Sequence, residues 1–167
     1  VHGSRGLGDV YKRQDLEEGA MCVALSSGTS AVMYSLINIM SQGDNFVTAN
    51  QLYGGTYTMF DNILPEYGID SKKVDITDLK AVEDAIDDKT RAIYCETITN
   101  PGLVVADVTA LSEIAHSKGI PLIVDATFTT SAIQKSFEFG ADIVVYSLTK
   151  WMSGHGRVIA GAVIEKG

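Results

Sequence analysis

Residues 121–128, PLIVDATF, and residues 142–150, DIVVYSLTK, decide the fold. Each stretch carries a predicted strand, at 121–124 and 142–146, whose apolar run (121–124 and 143–146) ends in polar side chains. Such runs are typical of strands buried on both faces of a sheet. A short helix is predicted between them, at residues 131–139. The three elements together form a strand–helix–strand unit, the building block of a parallel sheet.

The same alternation of short apolar runs and helical spacing continues toward the start of the chain. Further strands are predicted at residues 21–25, 45–49, 70–75 and 91–96, and helices at 30–40, 56–64, 77–87 and 109–118. Residues 158–164 follow the last loop and are compatible with an antiparallel strand. The sequence therefore predicts an α/β fold whose mostly parallel sheet is flanked by helices.

The composition indicates one globular domain and excludes several classes of function. Of 167 residues, 46% are hydrophobic and 20% are charged. No apolar run reaches the roughly 18 residues that a membrane span needs. The net charge of −8 argues against nucleic-acid and anionic-membrane partners. Cys22 and Cys95 are far apart and form no C-x-x-C pair, which indicates reduced thiols in the cytoplasm, without a disulfide framework or a metal site.

Both ends of the chain differ from its middle. Residues 1–14 carry three basic side chains and one acid in a chain that is otherwise acidic, and they lack the apolar stretch of a signal peptide. We interpret residues 1–14 as a non-native, adapter-like segment and residues 15–167 as the domain. The chain stops at the edge of a predicted strand, so we expect this domain to be incomplete.

Polar segments follow two predicted strands near the start of the domain. Ser26-Ser27-Gly28-Thr29-Ser30 opens a helix, and a glycine with hydroxyls at a helix N-terminus offers N–H groups to a phosphate. Tyr53-Gly54-Gly55-Thr56 would let an aromatic ring lie over a planar ligand. The alternatives are a serine-capped turn in the first case and a glycine-rich turn beside a surface tyrosine in the second.

Three more polar groups follow strands farther along the chain. Asn100-Pro101 is by itself an ordinary turn signal. Asp125 shares its strand end with Thr127 and places a carboxylate at the tip of an apolar strand, where a charge needs a partner unless it caps a helix or lies at the surface. Ser147-Leu148-Thr149-Lys150 places a lysine just past two hydroxyls, where it is either a surface charge or an amine that forms a Schiff base.

These five groups together match one cofactor, pyridoxal 5′-phosphate (PLP). PLP needs a phosphate cradle, an aromatic ring to stack on, a carboxylate for its pyridinium nitrogen and a Schiff-base lysine. The motifs SSGTSAV, LYGGTY, ETITNPGL, IVDATF and SLTKWMSGHG resemble those of the fold-type-I PLP enzymes of cysteine and methionine metabolism, the transsulfuration family. The resemblance covers about residues 18–167. Within the family, SLTKW, GHG and VIAGA are most similar to the O-acetylhomoserine sulfhydrylases.

The resemblance implies a role for each position. Lys150 would hold PLP as a Schiff base and shuttle protons, Asp125 would pair with the pyridinium nitrogen, and Tyr53 would stack on the ring face. The other positions would contact the phosphate (Gly28, Thr29, Ser147 and Thr149), the ring 3-oxygen or the substrate carboxylate (Asn100), and the other ring face (Thr127). Two positions depart from the family pattern: Thr29 replaces a usual Met, and Ala126 replaces an Asn that supports the aspartate.

The resemblance also implies a reaction, in which sulfide replaces the acetate of O-acetyl-L-homoserine to give L-homocysteine in methionine biosynthesis. The expected assembly is a homo-oligomer built as a dimer of dimers. Methionine γ-lyase and cystathionine γ-synthase remain alternatives within the family. The family's substrate-binding arginine, and the Tyr and Arg lent to a neighbouring subunit's phosphate, have no counterpart in the matched motifs. We therefore expect the 167 residues alone to be inactive.

Two interpretations from other classes stay open. A nucleotide-binding α/β module would need a G-x-G-x-x-G pattern after the first strand, which SSGTSAV lacks. A non-catalytic scaffold would keep the fold without turnover. Of the remaining notable side chains, His116 is interpreted as a surface residue and His155 as a structural one. Trp151 and Met152 are interpreted as packing residues, and Cys22 and Cys95 as small hydrophobic residues of the core.

Overall fold

The computed structural model describes residues 14–167, with a seven-stranded sheet at their centre. The strands, in chain order, are β1 (Met21–Leu25), β2 (Asn45–Ala49), β3 (Asp70–Val74), β4 (Thr90–Glu96), β5 (Leu122–Asp125), β6 (Ile143–Ser147) and β7 (Gly161–Glu165). Across the sheet they lie in the order β1-β7-β6-β5-β4-β2-β3. Strands β2 to β6 pair in parallel, and β7 lies antiparallel between β1 and β6. The mostly parallel sheet and the antiparallel last strand are both confirmed.

Helices connect the parallel strands, as the sequence predicts. The α-helices are α1 (Gly28–Ile37), α2 (Gly54–Thr58), α3 (Leu79–Ala85), α4 (Val108–Ser117) and α5 (Thr130–Ile133). Side-chain oxygens of Ser27, Asp78 and Asp107 accept backbone N–H groups at the start of α1, α3 and α4, which fixes where these helices begin. Within residues 14–167, none of the helices is long and apolar enough to cross a membrane.

The central strands are buried on both faces, which explains their continuously apolar sequences. All five residues of β2 are buried, and so is β5 up to its last residue. Phe60, after α2, packs edge-to-face on Phe46 of β2 and Tyr94 of β4, with ring centroids 4.8 and 5.2 Å apart. Cys22 and Cys95 are buried in this core, as predicted. A covered parallel sheet brings the carboxyl ends of its strands to one edge, where loops can form a site.

Two predicted helices are less regular than their sequence spacing indicates. In place of helix 56–64, the structure has α2, a π-helical turn (Met59–Ile63) and a 3₁₀ turn (Leu64–Tyr67). In place of helix 131–139, it has α5 and a separate 3₁₀ turn (Ser136–Phe139). The change of helical pitch lets Met59, Phe60 and Leu64 all reach the core. Tertiary packing therefore overrides the local helical pattern here.

The adapter-like interpretation of residues 1–14 concerns residues outside the described part of the chain, apart from Gln14, and it stays a prediction. Nε2 of Gln14 donates to the carbonyl oxygen of Ala20 at 2.8 Å. The Tyr146 hydroxyl donates to the buried carboxylate of Glu17. The N–H of Ala20 donates to the carbonyl oxygen of Glu165 at 2.9 Å. Residues 14–20 therefore pack onto the sheet.

Gly161 begins β7 where that strand touches the turn before α1. A Cβ at Gly161 would lie 2.0 Å from the carbonyl oxygen of Ser27 and 3.0 Å from the backbone nitrogen of Gly28. Because these are backbone atoms, an alanine side chain would force the strand and the turn apart. We expect Gly161→Ala to lower the free energy of unfolding by about 3 kcal/mol, measured by urea denaturation.

Gly54→Ala is the matched control for this prediction. A Cβ at Gly54 meets nothing within 4 Å, so this substitution should change the free energy of unfolding by less than about 1 kcal/mol. Equal denaturation midpoints for the wild type and Gly161→Ala would contradict the close approach of β7 to the turn.

Candidate active site

A cavity of about 630 Å³ opens at the carboxyl ends of β4, β5 and β6, beside the N-terminus of α1. All nine residues that the sequence analysis assigns to the site line this cavity: Gly28, Thr29, Tyr53, Asn100, Asp125, Thr127, Ser147, Thr149 and Lys150. They come from loops that are far apart in the sequence. The structure brings them together because the parallel strands end at the same edge of the sheet.

The N-terminus of α1 faces the cavity and forms an anion cradle, made by the N–H groups of Gly28 and Thr29. These N–H groups come first in the helix and have no intrahelical acceptor. Oγ of Ser27 caps the helix by accepting the N–H of Ser30 at 3.1 Å. A Cβ at Gly28 would lie 2.4 Å from the Cβ of Ser147, so only glycine lets the end of β6 come this close. A phosphate group suits this place because helix N-termini attract anions.

Lys150 lies in the turn after β6 and is exposed at the cavity. Among residues 14–167, no acidic side chain forms an ion pair with its amine. The backbone of the turn is held in place, since the N–H of Lys150 donates to the carbonyl oxygen of Ser147 at 3.2 Å. Oγ1 of Thr149 accepts the N–H of Ala160 at 3.1 Å and donates to its carbonyl oxygen at 3.3 Å. The amine therefore extends from a fixed turn at the edge of the cavity.

Asp125 ends β5 at the cavity, between two hydrogen-bond donors. Its Oδ1 accepts the N–H of Thr127 at 2.9 Å, and its Oδ2 accepts the Tyr94 hydroxyl at 3.2 Å. Burial raises the pKa of Asp125, and these hydrogen bonds act in the opposite direction. No cation among the described residues forms an ion pair with this carboxylate. A positively charged ring nitrogen would be a suitable partner, since a charge in such surroundings needs one.

Ala126, where the resemblance implies an asparagine, gives Asp125 no polar neighbour at that position. Ala126 is fully buried and has no polar side chain to offer. The hydroxyl of Tyr94 of β4 is a side-chain donor to the carboxylate. Burial raises the pKa of Tyr94 well above its ordinary value, so its hydroxyl stays protonated and can donate. Thr127 also joins two strand ends, because its Oγ1 accepts the N–H of Ser147 at 2.7 Å.

Glu96 is a cavity residue that the sequence analysis missed. It ends β4 directly beside Asp125 in the sheet and is only 6% exposed. Its Oε1 accepts the N–H of Tyr53 at 2.7 Å, and its Oε2 accepts that of Asn100 at 3.0 Å. Burial raises the pKa of Glu96 to about 7 against these two hydrogen bonds, and the charge of Asp125 adds to the increase. The signal was present, because a carboxylate at the end of an apolar strand had already singled out Asp125.

Aromatic side chains surround the opening of the cavity. Tyr53 is 46% exposed at the start of α2. Phe128 and Trp151 are in edge-to-face contact, with ring centroids 6.4 Å apart, and Trp151 is 66% exposed. Trp151 therefore packs against Phe128 but is not buried in the core, because the turn after β6 lies outside it. The neighbouring Met152 does pack against the core, as predicted.

The two histidines noted in the sequence are not among the residues that line the cavity. Nε2 of His116 lies 2.9 Å from Oδ2 of Asp142, near the end of α4. His155 is exposed, and its Nδ1 lies 3.1 Å from the carbonyl oxygen of Ser153. Gly154 and Gly156, on either side of His155, do line the cavity, whereas His116 is engaged with Asp142.

Comparisons with known proteins identify the family of this chain. Residues 12–167 match the family model described as Cys/Met metabolism PLP-dependent enzyme. The chain is 42% identical to the homocysteine synthase of Schizosaccharomyces pombe, over 95% of this chain and 38% of the relative. It is 43% identical to the L-methionine gamma-lyase of Fusobacterium nucleatum, over 90% of this chain and 38% of the relative.

A solved structure has the same fold. The crystal structure of a Campylobacter jejuni protein described as an O-acetylhomoserine (thiol)-lyase contains N′-pyridoxyl-lysine-5′-monophosphate. It matches with a TM-score of 0.92 and 37% identity, over 95% of this chain and 39% of that one. The chain thus spans about two fifths of the length of the relatives that it matches. It belongs to the Cys/Met metabolism family of PLP-dependent enzymes.

Proposed function

We propose that the protein carrying this chain converts O-acetyl-L-homoserine and sulfide to L-homocysteine and acetate. The observation that supports this most directly is the meeting of Lys150, Asp125 and the N-terminus of α1 at one cavity. These are an amine, a carboxylate and an anion cradle, which are the groups that PLP requires. The relative named homocysteine synthase supports the choice of reaction within the family.

The side chains divide the chemistry among them. Bound PLP would supply an electron sink for negative charge at the substrate α-carbon. The amine of Lys150 would hold the cofactor and then remove and return substrate protons. The carboxylate of Asp125 would keep the ring nitrogen protonated, because each stabilises the charge of the other. Tyr53 would cover one face of the ring and Thr127 the other.

The phosphate and the edge of the ring would be held by groups at the two ends of the cavity. The N–H groups of Gly28 and Thr29 would donate to the phosphate, together with the hydroxyl of Ser147. Because position 29 would donate through its backbone N–H, a Thr29 side chain in place of the usual Met would not affect this contact. The hydrogen of Thr149 is already engaged with Ala160, so its hydroxyl would have to turn toward the phosphate to contribute. Asn100 would contact the ring 3-oxygen or the substrate carboxylate.

Methionine γ-lyase is the second candidate. The relative of that name is as similar to this chain as the homocysteine synthase is. Product analysis distinguishes the two: homocysteine from O-acetyl-L-homoserine and sulfide supports the first, and methanethiol from methionine supports the second. Cystathionine from cysteine and an O-acylhomoserine, with release of the carboxylate, would instead favour cystathionine γ-synthase. The dimer of dimers, the cytoplasmic location and the inactivity of the 167 residues alone stay predictions.

Reductive labelling tests the proposal. The complete protein that contains this chain is incubated with PLP, reduced with borohydride and digested, and the pyridoxyl-bearing peptide is located by mass spectrometry. We expect the label on Lys150, because its amine lies at the cavity and is not held in an ion pair by a described residue. The exposed Lys89 serves as an internal control for random labelling. A folded protein without label on Lys150 would contradict the proposal and leave a scaffold or a nucleotide-binding module.

A further inference from the structure

Glu96 joins two loops that the sheet brings to the same side of the cavity. One loop leads from β2 to Tyr53, at the start of α2, and the other leads from β4 to Asn100. Each oxygen of the Glu96 carboxylate accepts one backbone N–H, from Tyr53 at 2.7 Å and from Asn100 at 3.0 Å. The carboxylate is therefore a bridge that sets the distance between the two loops.

The loops touch at a second point as well. A Cβ at Gly102 would lie 1.6 Å from Oε1 of Gln51, so the turn after Asn100 packs against the chain that leads to Tyr53. That contact is made by the end of a flexible side chain and would yield easily. The buried carboxylate of Glu96 is the stronger constraint, since hydrogen bonds to a charged group are worth roughly twice those between neutral groups.

We propose that Glu96 is a positioning residue, whose carboxylate holds Tyr53 and Asn100 in place so that both side chains contact PLP together. This inference rests on the proposed function, because Tyr53 and Asn100 matter only if PLP binds between them. Both oxygens of Glu96 are already engaged with backbone donors. The residue is therefore suited to positioning rather than to proton transfer.

The charges around Glu96 make this bridge sensitive to pH. Asp125 lies beside it in the sheet, and among the described residues the charge of Glu96 also raises the pKa values of the buried Tyr94 and Cys95 of β4. Its pKa is raised to about 7, chiefly by burial. When Glu96 takes up a proton, one of its oxygens becomes a donor and no longer accepts well from a backbone N–H. The bridge should therefore weaken as the pH falls below about 7.

PLP binding to the apoprotein tests the inference. In the complete protein, Glu96→Gln keeps the shape of the side chain but replaces one acceptor oxygen by a donor. We expect the dissociation constant of PLP, followed by cofactor fluorescence, to rise about 10-fold one pH unit above 7. One pH unit below 7, the ratio of the two dissociation constants, variant over wild type, should fall toward 1. Titration of the PLP phosphate affects both proteins equally and cancels in this ratio.

Thr99→Val is the matched control. Thr99 is buried in the same loop as Asn100, and its Oγ1 accepts the N–H of Val104 at 3.0 Å rather than a group of the Tyr53 loop. Removal of this hydroxyl should leave the dissociation constant of PLP within about twofold of the wild-type value at both pH values. If Glu96→Gln does not fold, hydrogen exchange at the Tyr53 and Asn100 amides of the wild type gives the same information. After correction for intrinsic rates, we expect both amides to lose protection below pH 7, in contrast to Val104.

The outcomes separate the two proposals. If the wild type is labelled on Lys150 but Glu96→Gln binds PLP as tightly as the wild type at both pH values, the positioning role of Glu96 is wrong and the proposed function stands. Protection of the Tyr53 and Asn100 amides that does not change below pH 7 would likewise overturn the positioning role of Glu96. If the wild type carries no label on Lys150, both proposals fail.

Discussion

Replacement of Lys150 by alanine should lower kcat for the reaction of O-acetyl-L-homoserine with sulfide by about 1,000-fold or more. The loss has two causes, because the same amine would hold the cofactor and move the substrate protons. Since Lys150 is exposed and forms no ion pair with a described residue, its truncation should leave the fold unchanged. The measurement is homocysteine formation by the complete protein, with circular dichroism to check the fold.

Lys89→Ala is the control for Lys150→Ala. Lys89 is also exposed and lies away from the cavity, in the turn before β4. This variant should keep the activity of the wild type. A Lys150→Ala protein with activity within about tenfold of the wild type would show that the amine is not needed, and the proposed reaction would have to be abandoned.

Replacement of Asp125 by asparagine should lower kcat by about 100- to 1,000-fold with little change in fold. The amide has the shape of the carboxylate but lacks the charge that would keep the ring nitrogen protonated. It can still accept the N–H of Thr127, and the Tyr94 hydroxyl can turn to accept from its NH₂ group. Exchange of the substrate α-hydrogen with deuterated water, which reports on charge at that carbon, should slow in parallel.

Asp107→Asn is the matched control for the Asp125 variant. Asp107 is another carboxylate at a loop-to-element junction, where it caps α4 by accepting the N–H of Ala110 at 3.0 Å, outside the cavity lining. Its neutralisation should leave kcat and α-hydrogen exchange unchanged. If Asp125→Asn raised only KM and left α-hydrogen exchange at the wild-type rate, pairing with the ring nitrogen would not be its role.

The strands and the ends of the strands were readable from the sequence. A strand covered on both faces must be continuously apolar, so the first polar residue marks its end. This rule predicts that Asp125 and Lys150 lie at one edge of the sheet. Helix bounds were less accurate: helix 77–87 is observed only at Leu79–Ala85, because the Asp78 side chain caps it and Ile86 is already extended.

The missed features depend on contacts between distant parts of the chain. Glu96 acquires its importance from two N–H groups, one of them 43 positions away in the sequence, which no local pattern indicates. The exposure of Trp151 follows from the path of the turn after β6, whereas its large apolar side chain alone favours burial. The need for glycine at position 161 comes from the approach of Ser27, far earlier in the chain.

The place of β7 in the sheet has a consequence for how the molecule is made. Within residues 14–167, β1 pairs only with β7, which is the last of these strands to leave the ribosome. In a nascent chain that has not yet exposed residues 161–165, β1 therefore lacks its partner strand β7, and the Ser27–Gly28 turn lacks its contact with Gly161. Pairing over such a sequence distance forms late and slows folding. The Ser27–Gly28 turn, at the start of the proposed anion cradle, thus gains its contact with Gly161 only after the rest of the sheet has been synthesised.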